Sequence, residues 1–248
     1  MVSGDPGWRV FGPHPEIAAW AAVALPLARA ALMAEPRRAG GTWAVGLELL
    51  NNDAAGTVAG VALPWHLLPL PPEPLHRAQL SAVYPGYPQP DPGETVAASG
   101  FRRTRDAAHL DGLLPVGPQK RRMVREPHHW ILGLPLTTCS PDAAPLVVWE
   151  GSHLPLGAAM AKALAPHPEA EWPDVDVTAP YQAARAEIFS NHVRREITLV
   201  PGQAVLLHRH LLHGVAPWGA DARAPPEGRI IAYFRPLLPS LRAWVKPG

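Results

Sequence analysis

The C-terminal two thirds of the chain is a succession of short apolar runs separated by proline, glycine and other turn-forming residues. Each run is about as long as a β-strand, and most neighbouring runs have no stretch of helical period between them. Many strands in succession, without alternating helices, favour a sandwich or barrel over an alternating α/β fold. The runs cover residues 95–101, 104–111, 128–137, 145–149, 196–200, 203–208 and 229–236.

Three segments of the chain are expected to be helical. Residues 14–34 have an apolar face and begin with Pro15, which suits the first turn of a helix. The segments 155–165 and 180–190 also have helical composition, and both lie in an insertion at about residues 154–195. We therefore predict a mainly β (α+β) protein that carries an N-terminal helix and an inserted pair of helices.

The first third of the chain is harder to interpret because prolines interrupt it. Residues 42–52 and 57–63 are strand-like by composition, and residues 76–83 could hold a short helix. No repeat or shift in composition divides the sequence, so we expect one domain over the whole chain. Its β core would span residues 95–236, and residues 1–94 would form an extension that packs on the barrel.

Composition limits the classes of partner. A net charge of +1 gives no reason to expect a nucleic-acid or polyanion partner. The single cysteine, Cys139, excludes an intrachain disulfide and fits a reducing compartment. The apolar run Ile17–Ala28 lacks a basic leader and is short for a membrane span, with Pro26 and Arg29 interrupting the apolar stretch. We expect a cytoplasmic protein with no membrane partner; its oligomeric state stays open.

His109 and Asp111, within RDAAHLDGLL at 105–114, are candidate metal ligands. In a strand, residues two apart project to the same side, so that the imidazole and the carboxylate would enter one cavity together. Two histidines and one carboxylate form the facial triad of non-haem Fe(II) sites, which leaves three positions for substrate and oxygen. About 0.4 such pairs are expected by chance at this composition, so a second histidine has to be found elsewhere in the chain.

Three later stretches supply that context. The segment APLVVWEGSH is a strand that ends in Gly-Ser-His at His153. The segment PGQAVLLHRHLLHG contains a turn, a strand and then His213 followed by Gly214. The segment EGRIIAYFRP is an apolar strand that opens with Arg229.

Taken in order, these segments resemble the phytanoyl-CoA dioxygenase-like family of Fe(II)/2-oxoglutarate-dependent dioxygenases over about residues 95–236. HLDG is similar to the family's His-x-Asp-Gly, and PGQAVLLHRHLLHG to its turn, strand and distal histidine. The resemblance implies a double-stranded β-helix (jelly roll, cupin-like) with the metal in its mouth. It implies His109, Asp111 and His213 as the catalytic iron ligands, with Arg229 and Trp130 binding 2-oxoglutarate. The implied enzyme is an oxygenase that uses Fe(II), 2-oxoglutarate and O2 to hydroxylate, or otherwise oxidise, a small organic molecule.

Electrostatics favour an arginine in the cosubstrate role. The remote carboxylate of 2-oxoglutarate would be costly to bury in the barrel without a fixed cation, and a guanidinium can bind it bidentately. The segment between His213 and Arg229 is longer than the family usually shows, and Arg223 within it is a rival. We favour Arg229 because it begins an apolar strand, whereas Arg223 lies among alanines and prolines.

Other interpretations remain open. His208, His210 and His213 could form a zinc site, although no cysteine or fourth ligand lies nearby in sequence, and we expect His210 to be partly exposed. The basic loop with Lys120, Arg121, Arg122 and Arg125 could attract an acidic substrate, although a solvated loop is the simpler interpretation. A cupin-like metalloprotein that does not use 2-oxoglutarate, and a non-catalytic barrel with a binding or regulatory role, are the alternative functions.

Overall fold

The structure is a computed structural model, and it describes residues 4–246. Two runs of four consecutive strands lie in the C-terminal two thirds of the chain, and the longest helix lies near the N-terminus. The helices are α1 (Pro15–Leu32), α2 (Val96–Thr104), α3 (His153–Leu164), α4 (Thr178–Asn191) and α5 (Leu241–Val245), and short 3₁₀ helices lie at Trp65–Leu67 and Glu169–Asp174. The strands are β1 (Trp8–Phe11), β2 (Arg37–Arg38), β3 (Trp43–Gly46), β4 (Gln79–Val83), β5 (Leu113–Val116), β6 (Arg121–Val124), β7 (Trp130–Pro135), β8 (Leu146–Trp149), β9 (Arg194–Ile197), β10 (Ala204–His208), β11 (His213–Val215) and β12 (Arg229–Phe234).

Two antiparallel sheets form the barrel. The large sheet has the order β1-β10-β7-β12-β4-β3-β2, and the small sheet has the order β11-β8-β9 and is extended by a single bridge between His109 and His213. From β4 onward the chain passes from the large sheet to the His109 bridge, returns to β7, crosses to β8 and β9, and then alternates through β10, β11 and β12. This connectivity is the double-stranded β-helix, and it confirms the predicted mainly β jelly roll with N-terminal and inserted helices.

The apolar residues divide into layers that follow the faces of the two sheets. A cluster inside the barrel joins Ile131 and Val205 of the large sheet to Leu146 and Val148 of the small sheet. A second cluster packs α3 and α4 on the outer face of the small sheet. Because side chains alternate along a strand, each strand contributes to the barrel interior and to one outer layer.

Helix α1 covers the outer face of the large sheet. It is long and apolar enough, by length and composition, to cross a bilayer. In the structure Trp20 is fully buried, meets Phe234 of β12 edge to face at 5.8 Å, and donates a hydrogen bond from its indole to the Gly56 carbonyl. The buried positions recur at helical spacing, so one stripe of the helix packs on the sheet. These positions are Ile17, Trp20, Ala21, Ala24, Ala28 and Leu32.

Several segments differ from the sequence prediction. Residues 95–101 were expected to be a strand but form most of α2, because Thr95 caps the helix by accepting a hydrogen bond from the Ala98 amide. Residues 76–83 were a possible helix but contain β4, which has strand partners on both sides in β3 and β12. The predicted strand 104–111 is irregular, with positive φ at Asp106 and Ala107, and residues 57–63 contribute isolated bridges rather than a strand.

The N-terminal part of the chain takes part in the large sheet. Strand β1 pairs with β10 along one edge, and β4 pairs with β12 near the middle of the sheet. Residues 1–94 were expected to pack on the barrel; their helix α1 lies on the large sheet, and their strands also extend that sheet by hydrogen bonding. The predicted boundary at residue 95 therefore does not coincide with an edge of the sheet.

Candidate metal centre

The structure brings together the three residues predicted as metal ligands. One donor atom each from His109, Asp111 and His213 lies within 4.8 Å of the others. Oδ1 of Asp111 is 3.2 Å from Nε2 of His109 and 3.7 Å from Nε2 of His213. Two ligand atoms at right angles, each about 2.1 Å from a metal ion, lie about 3 Å apart, so the separations of Asp111 Oδ1 from the two imidazoles suit one shared ion. Among the described residues no other group of histidine, cysteine and carboxylate side chains meets this condition.

Backbone pairing places the two histidines side by side. The amide of His109 donates to the carbonyl of His213 at 2.8 Å, and the amide of His213 donates back at 3.2 Å. Directly opposed residues of an antiparallel pair project to the same side of the sheet. Their rings therefore lie 4.6 Å apart between centroids, and Asp111 reaches the same point two residues after His109.

Two glycines allow this close packing of the backbone. Gly112 has φ of +87°, and a Cβ there would overlap the carbonyl of Glu126. A Cβ at Gly214 would overlap the carbonyl of Asp106, which accepts a hydrogen bond from Val215 at 2.7 Å. The glycines of the HLDG and HG motifs are thus required by packing at the ligand segment itself.

Each histidine is oriented by its second ring nitrogen. Nδ1 of His109 lies 3.0 Å from the Ala107 carbonyl, and Nδ1 of His213 lies 2.9 Å from the Leu211 carbonyl. A carbonyl can only accept a hydrogen bond, so each Nδ1 carries a proton, and each Nε2 faces Asp111 and is the ring atom that could bind a metal. This arrangement is the usual support of a metal-binding histidine.

The protonation states also suit a metal site. Burial, together with the nearby His109, lowers the pKa of His213 to about 4. Burial raises the pKa of Asp111, but the hydrogen bond with His109 and the charges of His213 and Arg235 outweigh this effect and hold the pKa well below its usual range. Near neutral pH the centre therefore offers a neutral imidazole at His213 and a carboxylate at Asp111. Two histidines and one carboxylate suit non-haem Fe(II), so the residues present fit that metal.

Arg235 belongs to the centre and was missed from the sequence. Its Nη1 donates to Oδ2 of Asp111 at 3.0 Å, which leaves Oδ1 directed at the two histidines. Its backbone carbonyl is held by ring nitrogens of His76 and His128, both at 2.9 Å. The sequence did contain a signal for Arg235. It lies six residues after Arg229, and in extended backbone side chains an even number of residues apart project to the same face.

Two cavities meet at the centre. The inner cavity, of 190 Å³, lies in the barrel and is lined by His109, Asp111 and His213 together with Tyr233 of β12. The outer cavity, of 430 Å³, is bounded by α2, α4 and the segment 107–114. His109, Asp111, Arg235, Trp43 and Val215 line both cavities, so the donor atoms lie where the two spaces join.

The structure distinguishes the two arginines proposed for the cosubstrate. Arg229 is 8% exposed, and its Nε has no hydrogen-bond partner within residues 4–246. It also lies close to Tyr233: burial raises the pKa of the Tyr233 hydroxyl, and the positive charge of Arg229 partly offsets this increase. Arg223 is exposed in the loop, where its backbone bonds to Ser140. Arg229 lines a small side cavity with Thr137 and Cys139 rather than the inner cavity itself. Leu146 lines both cavities, and Arg229 also interacts with Tyr233, which lines the inner one.

Trp130 does not lie at the centre. It is on the outer face of β7, where its indole donates to Glu73 at 2.7 Å and its ring meets Trp65 edge to face. Ile131, the next residue, faces the inner cavity instead. Trp130, which the family resemblance placed beside the cosubstrate, therefore lies on the opposite face of β7 from the inner cavity, because successive side chains point to opposite faces.

His153, His208 and His210 form a separate group of histidine rings. His210 is buried rather than partly exposed, and its ring packs against Trp244. His208 lies between His210 and His153, with ring centroids 5.4 and 4.7 Å away. The zinc site considered for His208, His210 and His213 does not form, because His213 turns to Asp111 instead.

Two arginines of the basic loop are paired with carboxylates. Arg121 pairs with Asp176, and Arg125 pairs with Asp174.

No protein-family model matches the chain, and no curated protein matches it. Among solved structures the chain is similar to the non-heme alpha-ketoglutarate-dependent carbocyclase SnoK from nogalamycin biosynthesis, at 12% identity and a TM-score of 0.44 over 96% of this chain and 84% of that one. It is also similar to EctD from S. alaskensis, solved with 2-oxoglutarate and 5-hydroxyectoine, at 18% identity and a TM-score of 0.47 over 93% and 72% of the two chains. At such identities and TM-scores, what the chain does has to be argued from its own site.

Proposed function

We propose that the protein is an Fe(II)- and 2-oxoglutarate-dependent oxygenase that oxidises a small organic molecule, and that it belongs to the phytanoyl-CoA dioxygenase-like branch. The observation that carries the proposal is the convergence of Nε2 of His109, Nε2 of His213 and Oδ1 of Asp111 where two cavities join. A zinc site with a structural role would be closed by a fourth protein ligand, whereas this centre has three and opens onto space on both sides.

The two cavities would bind different molecules. The inner cavity would take 2-oxoglutarate. The far carboxylate of 2-oxoglutarate would extend past Tyr233, which lines this cavity, and pair with the buried Arg229. The outer cavity is larger and would take the substrate. When bound, Fe(II) with 2-oxoglutarate and O2 would supply the oxidising chemistry.

The chain's own residues prepare the centre for that chemistry. His109, Asp111 and His213 would hold the metal, and the Nδ1 contacts keep both rings in the ligating tautomer. Arg235 fixes the carboxylate of Asp111 by its second oxygen, so that the first remains available to the metal. The apolar side chains of Ile131 and Leu146 line the inner cavity and would limit the water that it holds. We further propose that the protein acts in the cytoplasm.

The first test is release of succinate from 2-oxoglutarate in air with added Fe(II). We expect iron-dependent succinate from the native protein, enhanced by a suitable substrate, and none from His109→Ala. The matched control is His129→Ala, because His129 is a partly exposed histidine that pairs with Glu73 outside the centre. Equal succinate with and without iron, or equal loss in both variants, would contradict the proposal.

The second test concerns the cosubstrate. We expect Arg229→Gln to raise the KM for 2-oxoglutarate by about 30-fold or more, because truncating one partner of a buried charge pair is costly. Arg223→Gln should leave the KM within about twofold, because that side chain is exposed and distant in the loop. An unchanged KM in Arg229→Gln would contradict the assignment of Arg229 to the cosubstrate. A native protein that binds iron but does not turn over 2-oxoglutarate would instead be a metalloprotein that does not use this cosubstrate.

A further inference from the structure

The outer cavity contains more positive charge than its own carboxylates neutralise. Four arginines line it, namely Arg102, Arg122, Arg185 and Arg235, against the three carboxylates of Glu94, Asp111 and Glu126. Arg102 pairs with Glu94, and Arg235 pairs with Asp111. Within residues 4–246 neither Arg122 nor Arg185 lies in an ion pair, and Glu126 is engaged by His128 instead.

Arg185 is the better placed of these two cations to bind a ligand. It extends from α4 between two aromatic rings, with its guanidinium carbon 4.6 Å from the centre of the Phe101 ring and 5.0 Å from that of Tyr181. This packing fixes the plane of the guanidinium without using its N–H groups. Its one described hydrogen bond is a long one, 3.5 Å from Nη1 to the carbonyl of Ala108, directly before the ligand His109.

Arg122 is more fully engaged. Its Nη1 donates to the carbonyl of Leu113, and its amide donates to the hydroxyl of Thr178. Both arginines thus contact the backbone of the segment that carries the metal ligands. Arg185, however, has most of its guanidinium N–H donors available for another partner.

The unpaired arginine indicates what that partner is. Arg102 and Arg235 already have carboxylate partners. Within residues 4–246 Arg185 has none, so a single carboxylate on the substrate would pair with it. The aromatic lining from Trp43, Tyr87, Phe101 and Tyr181 suits an apolar body attached to that charge.

We propose, on the basis of the function proposed above, that the substrate is a small amphipathic monocarboxylic acid whose carboxylate binds Arg185. The apolar body lies against the aromatic wall, and the carboxylate accepts hydrogen bonds from the planar fork of Arg185. Arg185 is in this respect a specificity-determining residue.

The experiment compares a carboxylate with its neutral amide. Binding of 3-phenylpropanoate, 3-phenylpropanamide and phenethyl phosphate is measured by calorimetry on the full chain, under nitrogen, with Fe(II) and 2-oxoglutarate bound. The native protein should bind the carboxylate at least about tenfold more tightly than the amide and more tightly than the dianionic phosphate. Arg185→Gln should reduce the preference for the carboxylate to within about twofold, while its affinity for the amide stays unchanged, which shows that the cavity is intact.

Arg105→Gln is the matched control. Arg105 also packs over an aromatic ring, that of Phe189 at 4.8 Å, but it is exposed and does not line the outer cavity. It should retain the full preference for the carboxylate. Equal binding of acid and amide, a preference that persists in Arg185→Gln, or no binding of the acid at millimolar concentration would each overturn the proposal.

A second set of titrations, on protein freed of metal by a chelator, separates this proposal from the proposed activity. The positive charge of Arg185 belongs to the chain, so the carboxylate preference and its loss in Arg185→Gln should persist without iron. A preference that depends on Arg185 in a protein that releases no succinate would support the acid site and contradict the oxygenase. Succinate release without any preference for the carboxylate would do the reverse.

Discussion

The contact between Asp111 and Arg235 yields a quantitative test of the centre. Two unit charges 3.0 Å apart attract by about 5.5 kcal/mol at an effective dielectric constant of about 20. The side chains are 11% and 12% exposed, so removing them from water has already offset part of this attraction. A double-mutant cycle with Asp111→Asn and Arg235→Met should therefore give a coupling free energy of about 2–3 kcal/mol.

The assay is urea unfolding of the four proteins with a chelator present, because bound metal would supply a second partner for Asp111. The matched control is the surface pair of Arg121 and Asp176, 3.2 Å apart with side chains 56% and 34% exposed, which should couple by less than about 1 kcal/mol. A coupling between Asp111 and Arg235 no larger than that of the surface pair would refute the assignment of Arg235 as the residue that orients Asp111.

Two further predictions concern stability. Gly214→Ala should lower the free energy of unfolding by about 1–3 kcal/mol and abolish iron binding, because the new Cβ would push the Asp106 carbonyl away from the His109–His213 bridge. The control is Gly100→Ala, where the new Cβ enters open space on α2. In the same urea unfolding assay it should be neutral or stabilise the protein by about 0.5–1 kcal/mol. Burial lowers the pKa of His208 to about 4 and that of His210 to about 2, from 6.5. These folded-state values lie below the unfolded value, so the contribution to stability is full above pH 6.5 and falls as the pH drops toward 4. Urea unfolding should show a slope of up to about 1.4 kcal/mol per pH unit for each histidine, and an unchanged slope in His208→Gln would contradict this reasoning.

Local patterns in the sequence predicted a sandwich or barrel and the His109/Asp111 pair, whereas the jelly roll and the complete metal centre were expected from the family resemblance. Nearly continuous apolar runs mark β7, β10 and β12, because one face of each strand meets the barrel interior and the other meets the outer layer under α1. The His-x-Asp-Gly and His-Gly motifs are short because each combines ligands with a glycine that the backbone packing requires. Their convergence, however, was an expectation from family resemblance, since spacing alone does not pair His109 with His213.

The features that the sequence did not predict depend on tertiary contacts. The segment 76–83 becomes a strand because β3 and β12 lie on either side of it. Trp130 was placed at the cosubstrate, but the face that a strand residue occupies depends on register, and a shift of one residue reverses it. Arg235 was overlooked because the sequence does not show whether Arg229, which begins β12, or Arg235, which directly follows it, meets Asp111.

The bridge between His109 and His213 joins positions more than a hundred residues apart in the chain. An unfolded chain offers a metal ion only the adjacent His109 and Asp111, since a very long loop must close before the third ligand arrives. Tridentate chelation is thus acquired at barrel closure and is thermodynamically linked to it. A variant whose two sheets separate should release its iron while α1, α3 and α4 still give a helical circular-dichroism signal.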